Sequence, residues 1–485
     1  MMDRATLLTL DRETLVELVL HLVAEPATVI AALQEQVAAL QRENAELRAR
    51  LGQNSSNSSR PPSSDLPGSR PPAKRTPSGR RPGGQPGHPG HHRVLLTLDQ
   101  VDRVIPLLPT VCRQCGAALP AVAGPGEPSD ERQQVTELAP PRAEVTEYQL
   151  AARRCRGCGT VTRARRPAEV GAGAFGPRLQ ALVALLSGRY RLSRREVVQL
   201  MGDVWGAEVA LGSVVELEQA TSAALAPVVA EAHTLAQQAS MANVDETGWR
   251  EGRRKAWLWV MVTTVLTVFR VDQTRSGQVA RELLGPTWRG IVGSDRFAGY
   301  AWLEVPWRQV CWAHLKRDFQ QMVDWGGAAA PIGTAALAIE QQVFELWHRF
   351  RAGAIDRATL QEELDPVRLE LRALLRAGAT SEHAKTAGRC AELLRLWPAL
   401  WSFARYAGVE PTNNAAEQAL RPAVLWRKGS FGTHSPAGSR FAERLLTVSA
   451  TCRQQGRDLL GFLVEANQAA RLGTLPPSLI PAIQA

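Results

Sequence analysis

The chain has 485 residues, more than one hydrophobic core usually serves, so two or more domains joined by linkers are expected. Lys and Arg outnumber Asp and Glu by 57 to 47, and the net charge of +10 points to a polyanionic partner, nucleic acid or an acidic membrane surface. The start of the chain lacks a basic-then-apolar signal, and its longest apolar stretch, 257–269, is too short to span a bilayer, which excludes secreted and membrane-embedded classes and leaves a cytoplasmic protein.

Residues 7–23 carry apolar groups at helical spacing and predict a helix that Pro26 ends, with a second helix starting near Thr28. From Ile30 the steps alternate three and four: Ile30, Leu33, Val37, Leu40, Asn44, Leu47, Leu51. This is a heptad seam with Ile30, Val37, Asn44 and Leu51 at a, and Leu33, Leu40 and Leu47 at d. β-Branched residues at a with Leu at d favour a parallel two-stranded coil, and Asn44 fixes the register because only a facing Asn satisfies its amide. Glu43 at g would face Arg48 of the partner subunit, an exposed pair worth ~0.5 kcal/mol that tunes orientation. Residues 1–51 therefore read as a dimerisation segment; a helix packed within its own chain is the other reading.

Residues 52–93 run from GQNSSNSSRPPSSD to RRPGGQPGHPGHHR and are nearly free of bulky apolar groups, so they read as a linker. Seven Lys or Arg against Asp65 alone give this segment six of the ten net charges, and Arg80 and Arg81 make it a candidate tether along DNA phosphates.

Seven cysteines, an odd number with four in close pairs, fit a reducing compartment and a metal site better than disulfides. Cys112-Arg-Gln-Cys115-Gly and Cys155-Arg-Gly-Cys158-Gly are matching knuckles, and together their thiolates would hold one structural Zn²⁺ with no open position for catalysis. The 39 residues between the pairs exceed the usual ribbon spacing, and alternation at 134–138 and 144–151 predicts an intervening hairpin. Residues 94–170 are thus expected to be a zinc-binding domain. Helical patterns across 171–235, with a Gly206 turn and a second helix from Gly212 or Ser213, fit a helix-turn-helix or a plain core pair; Glu216 and Glu218, with no basic residue on the second helix, weaken the DNA-reading alternative without displacing it.

Beyond 240 the pattern turns to strands: 240–245, a hairpin over 256–271, a helix over 277–284, a buried strand over 290–294, and 310–312 leading into a helix from His314. That order matches a ribonuclease-H-like core, with Asp245 on the first strand and Asp295 just after the fourth. A third carboxylate should come from a later helix, and Glu417 in PTNNAAEQALRP fits. Placed at N3 behind Asn414, Glu417 would also complete a capping box. Asp245 and Asp295 lie 50 residues apart and Asp295 and Glu417 122 apart, so a helical insertion is expected over about 333–406.

The leucine seam, GQNSSNSS, GGQPGHPGHHR, the paired CxxC knuckles, DETGW at 245–249, SDRFAGY at 294–300, CWAHLKRDF at 311–319, and NNAAEQALRP followed by RKGSFG together resemble bacterial transposases of the insertion sequence 66 family over nearly the whole chain. The resemblance implies a DDE enzyme that cuts and joins element ends, with Asp245, Asp295 and Glu417 holding two Mg²⁺ or Mn²⁺ ions about 4 Å apart. Cys311 and His314 resemble a CxxH signature of other DDE transposases, though a lone Cys and His at this spacing are more often structural. Many DDE enzymes have a basic residue about two turns after the Glu. Here that position is Val424, which leaves Arg421, Arg427 and Lys428 as candidate DNA contacts.

The expected architecture is a multidomain α+β chain: coiled coil, basic linker, zinc domain, helical region, ribonuclease-H-like catalytic core over 236–450 with its insertion, and a helical tail over 451–485. Its expected partners are double-stranded DNA, a second or further copies of itself, and companion transposition proteins, with the nucleoid as its location. The rival readings are a dimeric zinc-containing DNA-binding regulator, an inactive element copy, and a structure-selective nuclease of the same fold.

Overall fold

The computed structural model describes residues 9, 11–54, 57, 94–120, 132–167, 170 and 173–481. The chain divides into two units, 1–70, 148–198 and 209–485 in the larger, and 71–147 with 199–208 in the smaller. Among the described residues no helix is long and apolar enough to cross a membrane.

The larger unit opens with helix α1 (Arg12–Leu51), which runs unbroken through Pro26 where two helices were expected. A proline removes one intrahelical donor, and the helix-favouring Ala24, Glu25 and Ala27 around it carry the chain past that loss. Ile30, Leu33, Val37, Leu40 and Leu47 are each at least 49% exposed, so the seam has no cover among the described residues. Just beyond the helix Asn57 is buried, and its Nδ2 donates to Gly52 O (2.9 Å) and Asp324 Oδ2 (2.7 Å). The start of the expected linker is thus anchored; the rest, with Arg80 and Arg81, lies outside the described residues.

Strands β1 (Ala152–Arg154) and β2 (Val161–Arg163) form an antiparallel hairpin around the second CxxC. The hairpin expected from 134–138 and 144–151 is absent, since 132–151 carry no strand. Pro140 and Pro141 in the connection hold φ at about −65°, which bars the positive-φ turn that a tight hairpin uses.

Helices α2 (Pro177–Ala184), α3 (Arg194–Trp205) and α4 (Leu211–Ala236) follow. α4 continues well past the segment 213–220 and buries Val214, Leu217, Leu225, Val228 and Ala232. The sheet is then laid down by β3 (Met241–Glu251), β4 (Arg254–Val262), β5 (Thr267–Asp272), helix α5 (Gly277–Leu284), β6 (Ile291–Ser294) and β7 (Arg308–Val310), in spatial order β5-β4-β3-β6-β7. β4 runs antiparallel to both β3 and β5, whereas β6 and β7 run parallel to β3. β3 outlasts the expected 240–245 because β4 pairs along it as far as Glu251.

Between the sheet and the last helices stand α6 (Trp312–Trp325), α7 (Ala329–Arg351), α8 (Arg357–Ala379) and α9 (Ala384–Arg395), a helical body whose core joins Trp312, Phe319, Ile339, Leu364 and Trp401. It begins at Trp312, 21 residues ahead of the segment expected as an insertion, because its first helix packs into the same core, and its last helix ends at Arg395. α10 (Asn414–Ser430), α11 (Pro436–Gln454) and α12 (Leu459–Leu472) complete the unit.

α11 lies along the edge strand β5. The outward N–H groups of Thr267, Phe269 and Val271 donate to Thr451 Oγ1 (3.1 Å), Thr447 Oγ1 (3.0 Å) and Glu443 Oε1. A strand presents alternate donors to one side and a helix presents i, i+4 side chains in a row, so 267-269-271 meet 451-447-443 and the edge is closed to other chains. Ala181, Leu225 and Val228 share one core with Ala242, Val244, Phe441 and Leu463. The apolar face of α4 thus takes its cover from the sheet and the C-terminal helices, across the expected boundaries at 235 and 450.

In the smaller unit Gln134 exchanges hydrogen bonds with the backbone of Leu96, and the N–H of Ala143 donates to Trp205 O (2.9 Å). Val111 bridges Ala118 around the first CxxC.

Candidate active site

The pairing of β3 with β6 sets Met241 against Ile291, Ala242 against Val292 and Asn243 against Gly293. Carried two residues on, the same register brings Asp245, inside β3, beside Asp295, just past the end of β6, where the β3–β6 ladder has ended. Gly293 makes the approach possible, since a Cβ there would stand 2.3 Å from Asn243 Oδ1. Each carboxylate is held locally: Asp245 Oδ1 accepts from Glu246 N–H (2.9 Å), and Asp295 Oδ1 from Phe297 N–H (2.8 Å).

Glu417 comes from the first turn of α10. The N-cap is Asn413 and not Asn414, so Glu417 falls one position past N3 and no capping box forms. The Asn413 side chain is drawn away from its own helix: Nδ2 donates to Val244 O on β3 (3.0 Å) while its backbone N–H donates to Cys311 Sγ (3.2 Å). Trp312 N–H donates to Pro411 O (2.9 Å). These bonds clasp β3, the start of α6 and the start of α10, and so bring the three carboxylates to one end of the sheet.

Glu417 Oε1 is buried and has no hydrogen-bond partner. His314 Nδ1, on the first turn of α6, lies 3.7 Å from it and is likewise buried and unbonded, as is Asn413 Oδ1. Arg317 reaches Glu417 Oε2 at 3.9 Å. Burial, followed by the negative charges of Glu246, Asp295 and Glu417, raises the Asp245 carboxyl well above the usual carboxylate range. Burial lowers His314 and pushes the Cys311 thiol up to about 11.

Crowded carboxylates and unbonded buried acceptors are what a hard divalent cation would satisfy, so Asp245, Asp295 and Glu417 have the chemistry to hold one. Glu246, not singled out in the sequence, alternates to the other side of β3 and is neutralised there by Arg275 (2.5 Å) and the Tyr300 hydroxyl (2.7 Å). The adjacent acids in DETGW were the available signal. A cleft of about 880 Å³ lies beside Phe297, lined by Arg275, Gln278, Arg281 and Trp302.

Of the basic candidates, Arg427 is half-buried, and its guanidinium donates to Thr247 Oγ1 (3.2 Å) and Gly248 O, tying α10 to β3. Arg421 and Lys428 are exposed. The two CxxC turns, one in each unit, are built alike. Cys112 N–H donates to Ala117 O and Cys155 N–H to Thr160 O, both 2.8 Å; Gly116 and Gly159 N–H return to Cys112 O and Cys155 O, both 2.9 Å. Gly116 and Gly159 each have φ +73°, the left-handed conformation that the tight turn requires. Backbone N–H groups of Cys115 and Gln114 lower the Cys112 thiol, and Thr160 does so for Cys158, favouring thiolates in both turns.

The family model described as Transposase IS66 family matches residues 172–440, and one described as a family of unknown function (DUF6444) matches 11–94. The uncharacterized protein y4qI of Sinorhizobium fredii is 28% identical over 233 residues, 43% of this chain and 42% of its own length. The uncharacterized protein y4hP of the same organism is 24% identical over 417 residues, covering 77% of this chain and 73% of the relative.

Proposed function

The chain belongs to the IS66 transposase family, and from that premise we propose that it binds the ends of an insertion sequence and catalyses their cleavage and transfer at Asp245, Asp295 and Glu417. The observation that carries the proposal is the convergence of these carboxylates where the β3–β6 ladder ends, with Glu417 Oε1 buried and unbonded. The strand order, with three antiparallel strands followed by two parallel to the first, supports a ribonuclease-H-like core.

The three carboxylates would hold Mg²⁺ or Mn²⁺, which supplies the positive charge that activates the attacking oxygen and stabilises the leaving one. The protein's part is to fix its oxygens: Asp245 and Asp295 through strand register, Glu417 through the Asn413 clasp and the Arg427 tie. In the first step water attacks a phosphodiester phosphorus, the P–O3′ bond breaks, and a 3′ hydroxyl is left. In the second that hydroxyl attacks a target phosphodiester and displaces the target's own 3′ oxygen. Both displacements run without a covalent protein intermediate or a nucleotide energy source.

The remaining parts serve assembly. The exposed α1 seam supports pairing with a second copy, and the like-built turns support thiolate metal ligation at each CxxC, while the assignment of Cys112, Cys115, Cys155 and Cys158 to one structural Zn²⁺ rests on their matched sequence motifs. The net charge of +10, with Arg421 and Lys428 exposed on the helix that carries Glu417, supports double-stranded DNA as the partner. Incubating the full chain, with companion proteins supplied, with Mg²⁺ and DNA bearing element ends, then mapping nicks and joined products, tests the proposal.

A further inference from the structure

We propose that His314 is a metal ligand at the catalytic centre, sharing with Glu417 one of the ions that the carboxylates hold. The inference rests on the reading of Asp245, Asp295 and Glu417 as metal ligands and adds a nitrogen donor to that set.

Three facts converge on this residue. His314 Nδ1 lies 3.7 Å from Glu417 Oε1, and both atoms are buried without a hydrogen-bond partner. A structural histidine in a packed core ordinarily spends its ring nitrogens on hydrogen bonds, so an unbonded Nδ1 facing an unbonded carboxylate oxygen marks a gap between two donors. Donors about 2.1 Å from a common ion stand roughly 3–4 Å apart, which is the separation found. His314, Glu417 and Cys311 also form the one group of metal-ligating atoms, all within 4.8 Å of one another, among the described residues.

Within that group the roles divide. Cys311 Sγ already accepts the Asn413 N–H (3.2 Å), and Cys311 precedes the first residue of α6, so it holds the clasp that positions the other two. His314 sits one turn in and faces α10. Its imidazole changes the character of the site, because nitrogen ligands favour Mn²⁺ and Zn²⁺ over Mg²⁺, whereas an all-carboxylate site does so less.

The test uses the full chain with its zinc sites filled and Mn²⁺ added as the probe, read by electron spin-echo modulation, in which a directly bound nitrogen leaves a ¹⁴N signature. The wild type should show that signature. His314→Gln should lose it and bind Mn²⁺ at least about tenfold more weakly, with a smaller loss for Mg²⁺. His314→Asn makes the same comparison should the Gln variant fail to fold.

Mn²⁺ that binds in an Asp295-dependent way but carries no ¹⁴N signature, or a signature that survives in His314→Gln, overturns this inference and leaves the carboxylate reading standing. If Mn²⁺ does not bind, or binds equally well to Asp295→Asn and Glu417→Gln, the carboxylate reading fails and this inference falls with it.

Discussion

Asn413 donates its side-chain amide to the Val244 carbonyl across 3.0 Å, and that bond ties the helix bearing Glu417 to the strand bearing Asp245. The β3–β6 ladder ends at Asn243, and the Val244 carbonyl just beyond it is taken by this amide. Asn413→Ala should leave the buried carbonyl unpaired and destabilise the protein by about 1–3 kcal/mol. Asn413→Asp, which sets an acceptor against an acceptor, should cost more. Chemical denaturation midpoints check both; a neutral Asn413→Asp would remove the clasp from the account.

For Glu417 the geometry separates catalysis from helix capping. Its Oε1 bonds to nothing and the N-cap is Asn413, so Glu417→Gln should leave the melting temperature nearly unchanged while cleavage falls by at least about 100-fold. A variant that melts early and keeps its activity would assign Glu417 a structural role.

Asp245 couples the site to pH. Burial first, then its acidic neighbours, raise this carboxyl, so the metal-free fold keeps a proton there that the unfolded chain releases. The resulting stability is full below the ordinary carboxylate pKa and is lost as the pH rises through the raised value. In Mg²⁺-free buffer near neutral pH, Asp245→Asn should therefore be more stable than the wild type by roughly 0.5–2 kcal/mol. The advantage should shrink as the pH falls, and equal stabilities at neutral pH would contradict it.

Much of this was legible in the sequence because strands announce themselves by alternation and end at their charges. α5 falls on the expected 277–284, and β6 ends at Ser294 immediately before Asp295. The short range of such patterns explains the misses. Pro26 reads as a helix end, yet flanking residues carry α1 through it. The Asn413–Asn414 pair offers two equivalent caps, and only the long-range bonds to Val244 and Cys311 choose between them. The threonines of α11 are spaced for a partner strand some 180 residues earlier in the chain, a match that no local pattern carries. His314 reads as an isolated histidine in the sequence, and only the fold sets it 3.7 Å from Glu417, some hundred residues later.

Zinc analysis addresses the knuckles. The purified chain should carry one Zn²⁺, and Cys112→Ser or Cys158→Ser should each lose it, because a four-thiolate site tolerates no missing ligand. Retention of full zinc by either variant would rule out the shared site.

The most direct measurement of the central claim compares the wild type with Asp295→Asn on DNA carrying element ends, in Mg²⁺ and with companion proteins supplied. Asn preserves size and hydrogen bonding and removes the charge needed to hold the cation. The account predicts nicked and joined products from the wild type, and from Asp295→Asn unchanged end binding with cleavage reduced at least about 100-fold. It is contradicted if Asp295→Asn cuts and joins as the wild type does. It is contradicted equally if the folded wild type binds its ends yet yields neither product in Mg²⁺ or Mn²⁺, which is the behaviour of a DNA-binding regulator or an inactive copy.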